Sequence, residues 1–141
     1  MKRVMAKSGR KHFNLPGRGH DLPFSDGVLA GDTLYLSGRI GLDPRTGRAA
    51  ENVEEEARLM LEGFREVLGK VGMTMDDIVY VTVYCTDLSL FERFNAVYRT
   101  FFRKDYPARA FLGASDLVLG ARFEIQGIAM KRTSAAKAVF E

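Results

Sequence analysis

A chain of 141 residues, 46% hydrophobic and 28% charged, is long enough to bury one core and has the composition of an ordinary globular domain. Nothing approaches the ~18 continuous apolar residues of a membrane span, and a single cysteine, Cys85, excludes an intramolecular disulfide or a cysteine-cluster metal site. The net charge of +3 is small but uneven, since six of the first twenty residues are Lys or Arg and the first acid is Asp21.

Residues 1–20 therefore read as a basic leader, 21–132 as a single domain and 133–141 as a peripheral tail. The leader lacks the apolar core of a secretory signal, and a lone cysteine fits a reducing compartment, by default the cytoplasm. A solvated leader is the expectation. A phosphate-binding arm is the sharper alternative, but no aromatic stacking motif supports a nucleic-acid partner.

Along the chain, "VLAGDTLYLSGRIG" (28–41) reads as a β-hairpin turning at Gly31-Asp32, and "LDPRTGRAA" as a loop. From Asn52 the apolar residues Ala57, Met60, Leu61, Phe64, Val67, Leu68 and Val71 fall at helical spacing. Asn52 is the expected N-cap, Glu54, Glu55 and Glu56 suit the positive end of the dipole, and Gly72 is the expected stop. "DDIVYVTVYCTDL" reads as a strand with Val79, Val81, Val83 and Cys85 on one face and Ile78, Tyr80, Thr82, Tyr84 and Thr86 on the other. A second helix opens at Ser89, with Glu92 placed for a capping box, and two strands follow near 107–113 and 121–131. Two helices cannot cover both faces of such a sheet. The expected fold is α+β, a mixed sheet with both helices on one face, and the Tyr/Thr surface left bare points to a homo-oligomer.

Strong catalytic motifs are absent: there is no phosphate loop, HExxH or CxxC, and His12 and His20 have no partner at metal-ligand spacing. Cys85 reads as a buried, inert thiol. What stands out is Arg109 in "PARAFLG" and Glu124 in "RFEIQGIA", charges inside apolar strands. Burying a charge unpaired costs several kcal/mol, order of magnitude. If the two strands are neighbours, Arg109 and Glu124 project from one surface. There they either form a cross-strand ion pair or serve a ligand, the Arg gripping a carboxylate and the Glu handling a proton or water.

These segments also carry a resemblance. "LYLSGRIGLDPRTG", "FERFNAVYRTFF", "YPARAFLG" and "FEIQGIAMKR" resemble, in order and spacing from about Leu22 to Arg132, the motifs of the RidA/YjgF family of imine/enamine deaminases. The resemblance implies a chorismate-mutase-like fold and a homotrimer whose sheets pack into a central barrel, with pockets between subunits. It also implies hydrolysis of 2-imino acids, the tautomers of enamines, to 2-keto acids and ammonia, without cofactor or metal. By position, Arg109 matches the carboxylate-binding arginine, Glu124 the acid that positions water, and Ser37, Gly38 and Asn95 pocket-lining residues. Three positions depart from the family pattern. Phe24 stands where a tyrosine is usual, Phe111 where many members have cysteine, and Arg39 where a neutral amide is common. Arg39 is expected to face solvent. Phe24 and Phe111 make the pocket more apolar and keep open a non-catalytic, 2-keto-acid-binding role; an RNA-cleaving or RNA-binding role is a further alternative.

Overall fold

The computed structural model describes residues 9–18, 21–103 and 105–132. Its main sheet has six strands: β1 (Arg10–Phe13), β2 (Gly27–Ala30), β3 (Thr33–Arg39), β6 (Ile78–Cys85), β7 (Ala108–Gly113) and β8 (Phe123–Met130), in the order β1-β2-β3-β8-β6-β7. Every neighbouring pair is antiparallel except β6 and β7. A parallel pair needs a crossover, and helix α2 (Phe91–Arg99) provides it. With α1 (Val53–Gly69) this makes the expected α+β architecture, a mixed sheet and two helices. No helix among the described residues is long and apolar enough to cross a membrane.

The sheet begins inside the stretch expected to be a solvated leader. Strand β1 pairs with β2 through Arg10–Ala30 and Phe13–Gly27, and its exposed Arg10 and Lys11 suit an edge strand that must not recruit another. The loop expected at 42–50 contains a small hairpin, β4 (Leu42–Asp43) and β5 (Arg48–Ala49). The tail beyond 132 and the first eight residues lie outside the described residues, as does His20.

Helix α1 forms as its sequence predicts. Asn52 Oδ1 accepts from Glu55 N at 2.8 Å, and past the last turn Met73 N donates to Leu68 O at 3.0 Å. Its buried stripe packs with Leu34, Leu36, Val81, Val83, Phe123 and Ile125 from the sheet. Helix α2 is capped differently from expectation. Asp87, not Ser89, accepts from a backbone N–H, that of Ser89, and so opens a short 3-10 turn (Leu88–Leu90) ahead of α2.

Period 2 fails at the start of β6. The register slips between Ile78 and Tyr80, so Ile78 is 5% exposed and Val79 45% exposed, the reverse of the predicted faces. A bulge inserts one residue and flips the alternation before it. From Tyr80 onward the predicted faces hold, with Val81, Val83 and Cys85 buried. Burial pushes the Cys85 thiol upward, and its Sγ donates to Asp87 O.

Two ionic clusters tie the layers together. Asp26, almost fully buried, receives Arg18 at 2.9 Å and Arg39 at 3.2 Å, while Leu15 N donates to its second oxygen at 2.7 Å. Arg39 therefore does not face solvent: its stem runs beneath Gly63 of α1, and burial pulls its pKa down despite Asp26. An Asp26→Ala chain should lose on the order of 3 kcal/mol, because two guanidinium groups and an amide lose their acceptor at once. Urea denaturation would measure this. The second cluster, Glu56 with Arg122, is fully buried on the carboxylate side.

The face of the sheet away from the helices carries Tyr35, Tyr80, Leu112 and Met130, all exposed. Thr82, Ile128 and Ala110 lie between them in register. That surface is too apolar to suit water alone.

Candidate functional site

The first cluster is built on β7 and α2. Arg109 and Phe111 pair in register with Val81 and Val83, so both point toward the helices, not the open face. The Arg109 guanidinium carbon lies 4.7 Å from the Tyr98 ring centre, 5.2 Å from that of Phe111 and 5.7 Å from that of Phe91. Phe111 in turn meets Phe91 edge-on at 5.0 Å and Phe94 at 5.4 Å. Rings hold a guanidinium by attraction to their faces, but they accept few of its five N–H bonds. Nη1 of Arg109 is buried without a hydrogen-bond partner, as are Oδ1 of Asn95 and the hydroxyl of Tyr98. Burial pushes the Tyr98 phenol up to about 12, with Arg109 pulling the other way, so the hydroxyl keeps its proton at working pH.

The second cluster is built on β3, β8 and the segment before β2. Glu124 pairs with Tyr84 and projects from the open face. Opposite it, β3 has a bulge: Leu36 faces Gly127 and Arg39 faces Ile125, leaving Ser37 and Gly38 against Gln126 alone. The bulge brings the Gly38 backbone beneath the Glu124 carboxylate, and a Cβ there would stand 2.1 Å from Oε2. Gly38 is thus required by close approach. Gly38→Ala should displace the carboxylate while the strand stays paired, and if Glu124 serves a reacting centre, turnover falls by roughly tenfold or more, as small misplacements there do. Activity alongside an unchanged melting curve would check this. Ser37 Oγ donates to Ser25 O and so ties the bulge to the segment carrying Phe24. The Phe24 ring is 48% exposed and lies 4.9 Å from the Arg18 guanidinium, beside an open cleft of about 500 Å³ lined by Asn14, Arg18 and residues 21 to 25.

The seven residues singled out from the sequence therefore fall into two groups: Arg109, Asn95 and Phe111 in one, Glu124, Ser37, Gly38 and Phe24 in the other. Arg109 and Glu124 do not share a surface. Strand β6 separates their strands, and the two side chains leave opposite faces of the sheet. The cross-strand ion pair is excluded within one chain, and among the described residues neither group enters a salt bridge. Sequence reasoning missed Tyr98 and Phe91 as neighbours of Arg109. The signal was there, since Phe91, Asn95 and Tyr98 recur at i, i+4 and i+7, one face of a helix.

A six-stranded mixed sheet with two helices on one face, and polar groups split between its two surfaces, defines a small α+β protein. The family model described as Endoribonuclease L-PSP matches residues 20–131. The chain belongs to that family, the RidA/YjgF family. A RutC family protein of Saccharolobus solfataricus is 40% identical over 110 residues, covering 77% of this chain and 87% of the relative. The 2-iminobutanoate/2-iminopropanoate deaminase of Homo sapiens is 36% identical over 110 residues, covering 77% and 80%. Among solved structures, TdcF of E. coli with bound serine superposes with a TM-score of 0.79 at 32% identity, covering 86% of this chain and all of that one (100%).

Proposed function

We propose that this protein hydrolyses small 2-imino acids to 2-keto acids and ammonia, on sites completed between copies of a homotrimer. The observation that carries the reading is the buried, unpartnered Nη1 of Arg109. A half-buried guanidinium walled by rings, with a buried donor unspent, suits a carboxylate. The deaminase relatives, and the serine bound to TdcF, are consistent with a ligand that carries one.

In this reading the Arg109 cluster of one protomer meets the Glu124 cluster of the next, and the apolar open faces pack against each other as the central barrel. Arg109 anchors the carboxylate. Glu124, held against the Gly38 backbone, orients a water at the C=N carbon and takes one of its protons. The water oxygen bonds to the carbon of the protonated imine as the π pair moves to nitrogen, giving a neutral carbinolamine. The proton held by Glu124 then passes to nitrogen, the C–N bond breaks with its pair leaving on ammonia, and the hydroxyl proton returns to Glu124 as C=O forms. An imine is already electrophilic, so positioning and electrostatics suffice for the chain's own residues. No metal or cofactor is assigned to the step, and among the described residues no His, Cys, Asp and Glu cluster could hold a metal ion.

The test is clearance of 2-iminopropanoate and bulkier 2-imino acids generated in situ. Faster decay that disappears in Arg109→Ala is the expected result. Full activity in Arg109→Ala would sink the reading. Phe24 and Phe111, which remove a hydroxyl and a smaller side chain from the family's usual pocket, favour one second reading, a 2-keto-acid binder without turnover; its mark is ligand-induced thermal stabilisation with no ammonia release.

A further inference from the structure

We propose that residues 14–18 form a strap that sets the geometry beneath the Glu124 carboxylate, with Arg18 as a positioning residue that acts through Asp26 and the β3 bulge. This rests on the reading of Glu124 as the group that orients water, and names what holds that group in place.

At the bulge the sheet no longer specifies its own backbone. Pairing between β3 and β8 breaks after Leu36–Gly127 and resumes at Arg39–Ile125, so Ser37 and Gly38 have no regular ladder on the β8 side. Their conformation is set from the other side. Ser37 N donates to Asp26 O at 3.1 Å, Ser37 Oγ donates to Ser25 O, and Arg39 reaches the Asp26 carboxylate at 3.2 Å. Gly38, whose backbone lies beneath the Glu124 carboxylate, is thus anchored through both its chain neighbours, and every anchor ends on residue 25 or 26.

The strap holds those two residues in turn. Asn14 Oδ1 accepts from Asp26 N at 3.0 Å and from Arg18 Nη1 at 2.7 Å. Leu15 N and Arg18 Nη1 donate to the two oxygens of Asp26, and Arg18 Nη2 donates to Phe24 O. One planar fork therefore serves three acceptors, a geometry that a flexible ammonium does not reproduce. The side chains of Arg18 and Asp26 are only 17% and 6% exposed, so water competes weakly for these bonds. Residues 14–18 precede the stretch matched by the family model, 20–131, so the strap is supplied from outside it.

Arg18→Ala tests this by kinetics and by amide exchange together. In clearance of 2-iminopropanoate, kcat should fall roughly tenfold while KM changes by less than about twofold, because the anchor at Arg109 is untouched. In a Glu124→Gln background the same substitution should cost less than about twofold, since the group it positions is gone. General loss of folded protein would lower both backgrounds alike. Independently of activity, exchange of the Ser37 N–H should quicken about tenfold while that of Val81 and Val83 holds. Asn14→Ala cuts the strap at its other end and gives the same readings if Arg18→Ala fails to fold. Arg18→Lys should recover only part of kcat. Arg93→Ala, which breaks the surface ion pair with Glu54, should leave both readouts at wild-type values. Undiminished kcat in Arg18→Ala and Asn14→Ala, an equal loss in the Glu124→Gln background, or a rise in KM alone would each overturn the inference. No clearance of any imine by the wild type overturns the deaminase reading instead. Unchanged Ser37 exchange in both variants then overturns the strap as well, and quickened exchange upholds it.

Discussion

On the proposed trimeric deaminase, assemblies made from equal amounts of Arg109→Ala and Glu124→Gln chains should regain about a quarter of wild-type activity, although each variant alone should be nearly inactive. Each parent should fall by roughly a hundredfold or more, since one loses the proposed charge-assisted anchor and the other the proposed base. The recovery follows from the sheet. Arg109 projects from the helix-packed face of β7 and Glu124 from the open face of β8, with β6 between them. A site that uses both must take them from different copies. In random heterotrimers one half of the arginine positions and one half of the glutamate positions are intact, and the product of the two chances is about a quarter. Chains refolded or co-expressed together, then assayed for imine clearance, give the measurement. No recovery above the parents would show that the two residues do not meet across an interface.

Glu56→Ala should destabilise the fold by about 3–5 kcal/mol, the largest single effect expected outside the site. Glu56 is 0% exposed, and its carboxylate accepts from Arg122 Nε at 2.6 Å, Arg122 N at 2.7 Å and Phe123 N at 3.2 Å. Arg122 also donates to the carbonyls of Ala50 and Glu51, so one carboxylate joins the start of α1, the segment before it and the start of β8. Removing it leaves two backbone N–H groups without their acceptor and the Arg122 guanidinium without its counter-charge. Urea denaturation should show a lower midpoint with an unchanged slope. An added Arg122→Met substitution should recover only part of the loss, because the two backbone donors remain without an acceptor. Full recovery would mean that the ion pair alone carries the effect.

The same glutamate shows how far the sequence reaches. At the first turn of a helix, Glu56 looks like its neighbours Glu54 and Glu55, an acid favoured by the dipole. Glu54 does behave as a surface acid, held near 2 by its hydrogen bonds to Arg93. Which of three consecutive acids turns inward depends on where β8 begins, and that is decided 66 residues away in the chain.

Helix α1, its cap, the strands β2, β3, β6, β7 and β8 and the family motifs were legible because they depend on local periodicity and on residue types at fixed spacing, whereas β1 and the β4–β5 hairpin were read as leader and loop. So was the sheet's bare face, since Tyr/Thr alternation is a local pattern. The faces of Arg109 and Glu124 were not, because a side chain's face in a sheet follows from its strand's partners and from every bulge before it. Register on β6 sets both: Arg109 pairs with the helix-facing Val81 and so turns toward α2, whereas Glu124 pairs with Tyr84 and so turns to the open face. Sequence by itself determined the family and singled out the candidate site residues. Only the tertiary structure decided that they stand in two separate groups, because strand order is set by long-range pairing that no local spacing encodes.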